Sequence, residues 1–429
     1  MALQRTTLFA CGLLLAFPIP ALAVIGGEAV EEGHPEFKYS VGLISGDATC
    51  SGTLITPLHV LTAAHSTMVM AESTAPRVTH ILNRGDYSQP AEPVQPGTPE
   101  VLPAMAADAP QNRLGLAEWL IAPGHPLTSR VAVNRVWKQL FGAGIVRTSS
   151  DFGLQGAYPT HPELLDWLAV DFVESGWDVK RLVRLIVTSD TYRQTAVAPR
   201  ELLERDPHNE FLARGPRFRL SAEAIRDTAL SASGLLVDRL GGPSVKPYAP
   251  GDLWREVSHY GSTPATAQAF VQDHGEKLYR RSLYTYWKRT VPPPNLAAFD
   301  APSRETCCVD RSTTNTPLQA LVLLNDTQFV EASRAFAERI VQHAATDRDR
   351  LRWAYYETTS RPPSAEELEL LAHSLRRERE HYAANPSEAE RLLAVGESPR
   401  DARIPVCEHA AWAQVATLLL NLSETITRN

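Results

Sequence analysis

Residues 126–144 read PLTSRVAVNRVWKQLFGAG, and this stretch decides the fold class. Its apolar residues recur at the three- and four-residue spacing of one helix face. They are Val133, Val136, Trp137, Leu140 and Phe141. Gly142 follows the last of them, where a glycine commonly ends a helix because it adopts the left-handed backbone conformation without strain. The stretch therefore predicts an amphipathic helix that ends at Gly142.

Start signals for further helices follow along the chain. Thr160 lies three residues before Glu163, and Ser364 lies three residues before Glu367. This spacing matches the capping box, in which the two side chains bond two backbone N–H groups that the first helical turn leaves unpaired. Both positions therefore predict the beginning of a helix.

One stretch interrupts the helical pattern. Residues 280–290, RRSLYTYWKRT, have the composition of a strand and are followed by Pro292, Pro293 and Pro294. The sequence as a whole predicts a mainly α, multi-helix globular domain with a short β-ribbon. A Pro-rich arm and a small, incomplete β segment precede this domain.

Composition shifts divide the chain into four predicted segments. Residues 1–23 have a basic start, an apolar run of 11 residues and the Ala21-Leu22-Ala23 pattern of a signal-peptide cleavage site. Residues 24–65 are Gly-rich with short β-type runs, and residues 66–111 are a Pro-rich extended arm. Residues 112–429 are the helical domain, with two subdomains separated near 195–215 as an open alternative. We therefore expect a secreted or periplasmic protein.

The overall balance of charge excludes some partners. The 429 residues have a net charge of −7 and contain no run of lysines and arginines. Such a chain lacks the basic surface that binds nucleic acid or anionic lipid. We predict no nucleic-acid partner and, beyond the signal peptide, no transmembrane anchor.

Residues 24–65 carry a first family resemblance. VIGG at 24–27, CSGTLI at 50–55 and VLTAAH at 60–65 resemble the N-terminal part of trypsin-like serine proteases. The resemblance implies that His65 is the general base. The chain has Ser66 where that family has a cysteine, and it has no G-D-S-G-G motif, so the serine and aspartate partners of a triad are missing. We expect an inactive fragment, and the junction near residue 66 is either a gene fusion or an assembly artefact.

Residues from about 66 to 429 resemble a second family, a planctomycete-type domain of unknown function (domain of unknown function 1553). The stretches that carry this resemblance include NRLGLAEWLIAPGHPLTSR at 112–130, ARGPRFRLSAEAIRD at 213–227, FDAPSRETC at 299–307, TNTPLQALVLLND at 314–326 and LLAVGESPRD at 392–401. The resemblance implies a secreted helical domain without an assigned reaction. It also implies cytochrome-c-like or other extracytoplasmic domains as partners.

The cysteines and histidines indicate no cofactor. No C-x-x-C-H motif occurs, so no haem is covalently attached. Cys307 and Cys308 are adjacent and unsuited to one tetrahedral zinc ion, and no histidine pair has the spacing of ligands on a helix. The pairing of Cys50, Cys307, Cys308 and Cys407 in disulfides stays open.

Two polar clusters are candidate binding sites. The first contains Asn134, Arg147, Asp151 and His161, around a glycine-containing loop between two predicted helices, where binding residues often lie. The alternative is that these side chains only pair with one another and with helix ends.

The second cluster contains Arg304 and Arg311, two guanidinium groups that suit an anionic sugar or sulfate. The alternative is an ion-pair network that holds a long loop. Four tryptophans on the predicted helices or at their ends favour a core over a carbohydrate platform: Trp119, Trp137, Trp167 and Trp177.

These observations leave two functions open. The first is a binding or structural module of an extracytoplasmic planctomycete-type system. The second is an enzyme of unassigned reaction that uses an Arg/Asp/His cluster. A serine-type endopeptidase is a distant third, because only His65 of its catalytic residues is present.

Overall fold

A computed structural model of the chain describes residues 78–251, 253–256 and 269–428, and the backbone of five short strands between residues 23 and 62. Two of these strands, β1 (Ala23–Ile25) and β2 (Glu28–Val30), pair antiparallel. The other three form an antiparallel sheet: β3 (Ser40–Ser45), β4 (Ala48–Thr56) and β5 (His59–Thr62). The predicted signal peptide up to residue 22 and His65 lie outside the described residues.

From residue 78 onward the described chain is mainly α-helical with short antiparallel ribbons, which confirms the predicted fold class. The ribbons pair β6 (Thr79–Leu82) with β7 (Pro90–Val94), and β8 (Phe218–Arg219) with β9 (Thr427–Arg428). The helices are α1 (Arg113–Leu120), α2 (Thr128–Phe141), α3 (Pro162–Glu174), α4 (Val179–Val187), α5 (Arg200–Arg205), α6 (Ala222–Ser233), α7 (Leu253–Glu256), α8 (Pro294–Ala297), α9 (Pro317–Asn325), α10 (Thr327–His343), α11 (Asp347–Thr359), α12 (Ala365–Ala384), α13 (Pro386–Leu393), α14 (Val406–Leu420) and α15 (Ser423–Ile426).

The chain divides into two compact units. The first unit comprises Met1–Asn134, Pro162–Leu182 and Leu240–Pro243, and the second comprises Arg135–His161, Val183–Arg239 and Ser244–Asn429. In the first unit, α3 buries one apolar face formed by Leu165, Leu168, Ala169 and Phe172.

The core of the second unit forms around α10 and α14, which pack side by side. α14 contributes small residues, including Ala410, Ala413 and Ala416, which are almost fully buried and let a neighbouring helix approach closely. Trp412 on the same helix is 0% exposed. Burying one large apolar side chain stabilises the fold by about 1.5–3 kcal/mol, so this helix pair anchors the unit.

Most helix ends follow the sequence signals. Gly142 has a φ of 79° directly after α2, as its predicted role requires. Ser364 and Glu367 form the predicted capping box at the start of α12. The helix predicted after Thr160 is present, but the capping role predicted for Thr160 is wrong, because α3 begins only at Pro162. The Thr160 hydroxyl instead donates to the Ile145 carbonyl at 3.3 Å.

The strand predicted over residues 280–290 is also wrong. Ser282–Tyr284 form a turn of 3-10 helix, and the segment contributes only isolated bridges, one of them between Val245 and Thr285. Its aromatic residues are used for tertiary packing instead, since Tyr284 is buried. β-type composition reflects side chains that suit a half-buried surface, and here they meet that surface without a regular strand.

Candidate functional site

The second unit contains a cavity of about 660 Å³. This volume lies within the range of small-molecule sites, about 300–1,000 Å³. Its walls come from the end of α2 and the loop after it, from the segment 196–218, and from α15 through Glu424. The side chains are apolar and aromatic on one part of the wall and cationic on another, as the following contacts show.

The aromatic part of the wall is fixed by close packing. The rings of Trp137 and Phe141 stack at 4.1 Å between centroids, and the ring of Tyr192 meets Phe141 edge-on at 5.5 Å. Phe218 covers Gly142, where a β-carbon would lie 2.7 Å from the phenyl ring. The glycine therefore has two roles, since its positive φ ends α2 and its missing side chain leaves room for Phe218.

The segment 206–212 forms a second wall and is held by one buried carboxylate. Asp206 is 4% exposed and accepts the backbone N–H groups of Glu210 and Phe211 at 2.8 and 2.9 Å. Burial raises the pKa of Asp206, but the two backbone N–H groups and the nearby charges of Arg214 and His208 outweigh that effect and hold its pKa below the usual value. Asp206 therefore remains charged and stabilises a turn in which Asn209 has a φ of 52°.

The next residues of this wall are fixed by backbone contacts. Gly215 donates its N–H to the Thr195 carbonyl at 2.8 Å, and a β-carbon at Gly215 would lie 2.3 Å from the Gln194 carbonyl oxygen. Arg214 lies between these anchors and donates from Nη2 to the Pro207 carbonyl at 3.0 Å. The stretch Arg214-Gly215-Pro216-Arg217 is thus a preorganised part of the cavity wall.

The charged groups on the wall leave an excess of cations. Arg147 donates from Nη1 to Glu210 at 2.9 Å. Glu424, the other lining acid, pairs with Arg361 at 2.8 Å, and Arg361 is not part of the wall. Both lining glutamates are therefore already bonded to arginines.

Arg214 and Arg217 are the cations without a carboxylate bond. Among the described residues, no carboxylate accepts a hydrogen bond from either guanidinium, and the buried Nη1 of Arg214 has no hydrogen-bond partner. Arg217 is exposed. A buried guanidinium nitrogen without an acceptor is costly. The exposed guanidinium of Arg217 is the one that an anion in the cavity can reach directly.

The first predicted cluster is only partly assembled around the cavity. Arg147 lines it, whereas Asp151 and His161 are not among its lining residues. The Asp151 carboxylate accepts the Gly153 N–H at 2.7 Å and shapes the loop, and Nδ1 of His161 lies 3.1 Å from the Thr160 hydroxyl. Asn134 is 0% exposed within α2 and belongs to the first unit.

The second predicted cluster surrounds Glu223 of α6. Arg311 donates to Glu223 at 2.8 Å. Burial raises the pKa of Glu223, but the bond from Arg311 outweighs it and holds this pKa below the usual value. Arg304 stacks over Trp287 at 4.3 Å from the ring centroid, and burial lowers the pKa of its guanidinium. Both arginines are thus engaged in contacts that hold the loop.

The thiols that the structure describes are free. Cys307 and Cys308 are exposed, and Cys407 is half-buried. The disulfide alternative for Cys407 is therefore not realised in this structure.

Sequence reasoning missed the residues that matter most at the cavity, Arg214 and Arg217. The signal was present in ARGPRFR at 213–219, where three arginines alternate with glycine, proline and phenylalanine. Trp137 was predicted as core, and it is 6% exposed while also lining the cavity. Such a dual position follows from tertiary packing and has no sequence signature.

The comparisons with known proteins give one match. A family model described as "Protein of unknown function (DUF1553)" matches residues 112–375. No curated protein and no solved structure matches the chain. None of the helices within the described ranges has the length and apolar character that a membrane span needs.

Proposed function

The chain belongs to the family described as protein of unknown function (DUF1553), and we propose that it is an extracytoplasmic binding module for a small anionic ligand. The ligand enters the cavity of the second unit. An acidic sugar such as a uronic acid fits best, because its ring packs on aromatic side chains and its carboxylate pairs with arginine.

One observation carries this proposal. Arg214 and Arg217 line a cavity in which both glutamates are already bonded to other arginines. A guanidinium binds a carboxylate through two parallel hydrogen bonds, which gives orientation as well as affinity. The aromatic wall of Trp137 and Phe218 supplies the apolar face for a sugar ring.

Binding explains the cavity better than catalysis does. A general acid–base reaction needs a proton donor or acceptor within hydrogen-bond reach of the substrate. Of the residues predicted for an Arg/Asp/His enzyme site, Arg147 alone lines the cavity, while Asp151 and His161 hold loop and helix ends. The wall therefore offers recognition groups rather than the predicted catalytic set.

Isothermal titration calorimetry with digalacturonate tests the ligand class. We expect saturable one-to-one binding at 50 mM NaCl that weakens several-fold at 300 mM NaCl, because salt screens charge pairs near a surface. The neutral disaccharide lactose is the control and should give no saturable heat. Equal binding of lactose and digalacturonate, or no binding of either, would contradict the proposal.

The extracytoplasmic location rests on the sequence of residues 1–23. Expression of the full chain in a bacterial host, followed by fractionation and N-terminal sequencing, tests it. We expect protein in the periplasmic fraction with Val24 as its first residue. Full-length protein retained in the cytoplasm would count against this location.

The partner proposal rests on the family resemblance alone. In a planctomycete-type system, we expect the module to act beside cytochrome-c-like or other extracytoplasmic domains. Co-purification of the tagged chain from an exported fraction, with haem absorbance as the readout, would test that partner class. Recovery of the tagged chain without a haem-containing protein would contradict the proposal of a cytochrome-c-like partner.

A further inference from the structure

A second, much smaller slot lies in the same unit. Its described lining includes Lys246, Trp254, Phe270, Thr285, Tyr286 and Asn295. The space that the centres of water molecules could occupy in this slot is about 30 Å³. Since about 10–15 Å³ by the same measure holds one water molecule, the slot has room for a group the size of a carboxylate.

Backbone contacts fix the two segments that form the slot. The Val245 N–H donates to the Tyr284 carbonyl at 2.8 Å, and the Tyr286 N–H donates to the Val245 carbonyl at 2.7 Å. The Lys246 N–H donates to the Asp273 carboxylate at 2.7 Å. These two backbone bonds and the bond to the Asp273 carboxylate place Lys246 beside Thr285 and Tyr286.

The slot has a cation at its wall. The Lys246 ammonium lies 5.6 Å from the Trp254 ring centroid and 5.1 Å from that of Tyr286. Among the described residues no ion pair includes Lys246. The Asp273 carboxylate pairs with Lys277 at 3.0 Å, and the charge of Lys246 also helps to lower the pKa of Asp273. Cation–π contacts hold such an ammonium while leaving its positive charge available.

A second lysine adds to the positive field. Lys288 is 4% exposed, and its ammonium lies 4.5 Å from the Trp254 ring centroid. Burial lowers the pKa of Lys288 because the charged form is less well solvated there.

The slot also contains an unused hydrogen-bonding group. Thr285 is 6% exposed, and its buried hydroxyl has no partner within the described part of the chain. An unsatisfied buried hydroxyl costs about 1–3 kcal/mol. A ligand oxygen that accepts from this hydroxyl would recover that cost.

We propose that this slot binds the carboxylate group of a small apolar acid such as propionate. The carboxylate accepts hydrogen bonds from the Lys246 ammonium and the Thr285 hydroxyl. The alkyl part packs against the rings of Trp254 and Phe270, which meet edge-on at 5.3 Å. This site is separate from the cavity that carries the proposed function, because the two share no lining residue.

Ligand-observed NMR with sodium propionate tests the site, with sodium chloride added to keep ionic strength constant. We expect saturable binding by the full chain and at least tenfold weaker binding of propionamide, which has the same shape without the charge. Lys246→Met should abolish binding, and Thr285→Val should weaken it about tenfold while keeping the side-chain volume. Lys180→Met, at an exposed lysine of the first unit, is the matched control.

Each possible result of these measurements either supports or contradicts the propionate site. Saturable propionate binding that is lost in Lys246→Met and kept in Lys180→Met supports the site. Thr285→Val keeps the result interpretable if Lys246→Met fails to fold, since valine is isosteric with threonine. No saturable binding to the wild type, equal binding of propionamide, or unchanged binding by both slot variants overturns it.

Discussion

Nη1 of Arg147 lies 2.9 Å from Oε1 of Glu210, and this ion pair joins two loops of the cavity that are 63 residues apart. Both side chains are more than one-third exposed. An ion pair with this exposure contributes at most about 1 kcal/mol. Arg147 can therefore exchange Glu210 for the carboxylate of a ligand at small cost.

The exchange leads to a first prediction. Glu210→Gln removes the competing carboxylate and leaves Arg147 free to bind the ligand. From the weakness of exposed pairs we expect about two- to fivefold tighter digalacturonate binding, measured by calorimetry. Glu201→Gln, on the exposed side of α5, should leave the affinity unchanged. Weaker binding by Glu210→Gln would mean that Glu210 itself contacts the ligand.

A second prediction concerns the contact between Gly142 and Phe218. Gly142→Ala places a β-carbon 2.7 Å from the ring and also forces alanine into a φ of 79°. We expect a loss of about 2–4 kcal/mol in unfolding free energy. Gly275→Ala in the same unit has a φ of 61° and open space around it, so it should lose only about 1 kcal/mol. Urea unfolding checks both, and equal losses would contradict the packing argument.

A third prediction concerns the buried carboxylate of Glu331. Its Oε1 accepts the Tyr279 hydroxyl at 2.8 Å and the N–H groups of Glu397 and Ser398 at 2.7 and 2.6 Å. Glu331→Ala removes the acceptor of the Tyr279 hydroxyl and the Ser398 N–H, and it removes the carboxylate that lies 3.7 Å from Nη2 of the buried Arg334. We expect this change to cost about 3–5 kcal/mol. Glu331→Gln keeps one oxygen there and should lose clearly less in chemical unfolding. Similar losses in the two variants would contradict this prediction, because they would show that the negative charge, and not the accepting oxygen, carries the stabilisation.

A fourth prediction concerns pH. His409 is 0% exposed, and burial is the main reason that its pKa is lowered from the usual 6.5. The unfolded chain therefore binds a proton more readily than the folded chain does. The contribution of neutral His409 to the free energy of unfolding is fully present above pH 6.5. It is lost as the pH falls from 6.5 through the lowered pKa of the folded chain.

Urea midpoints between pH 8 and pH 5.5 measure this effect. His409→Gln should flatten the pH dependence, whatever its effect on the midpoint at pH 8. His381→Gln, at a more exposed histidine, should retain the slope of the wild type. An unchanged slope in His409→Gln would assign the pH dependence to other groups.

Helices could be predicted from the sequence because their signals are local. The α2 stop at Gly142 and the α12 start at Ser364 need only neighbouring residues. The Thr160 prediction failed because its hydroxyl bonds to Ile145, 15 residues away, and α3 starts two residues later. A short window of sequence does not indicate hydrogen-bond partners that lie this far away along the chain.

The cavity was predictable only in part. Arg147 was identified because it lies on a glycine-containing loop between two helices. Arg214 and Arg217 were not identified. Whether they are left without a carboxylate depends on which arginines the fold pairs with Glu210 and Glu424. Asp151 and His161 share the local environment of Arg147 in sequence, but their side chains bond to backbone and to Thr160.

The most direct test of the account is the affinity of Arg217→Gln for digalacturonate, measured by calorimetry beside Arg376→Gln. Arg217 lines the cavity, whereas Arg376 is an exposed arginine of α12 that does not. We expect at least tenfold weaker binding in Arg217→Gln, because a lost charge-assisted hydrogen bond is worth about 1.5–3 kcal/mol, and unchanged binding in Arg376→Gln. Equal affinities in the two variants would contradict the claim that this cavity binds an anionic ligand.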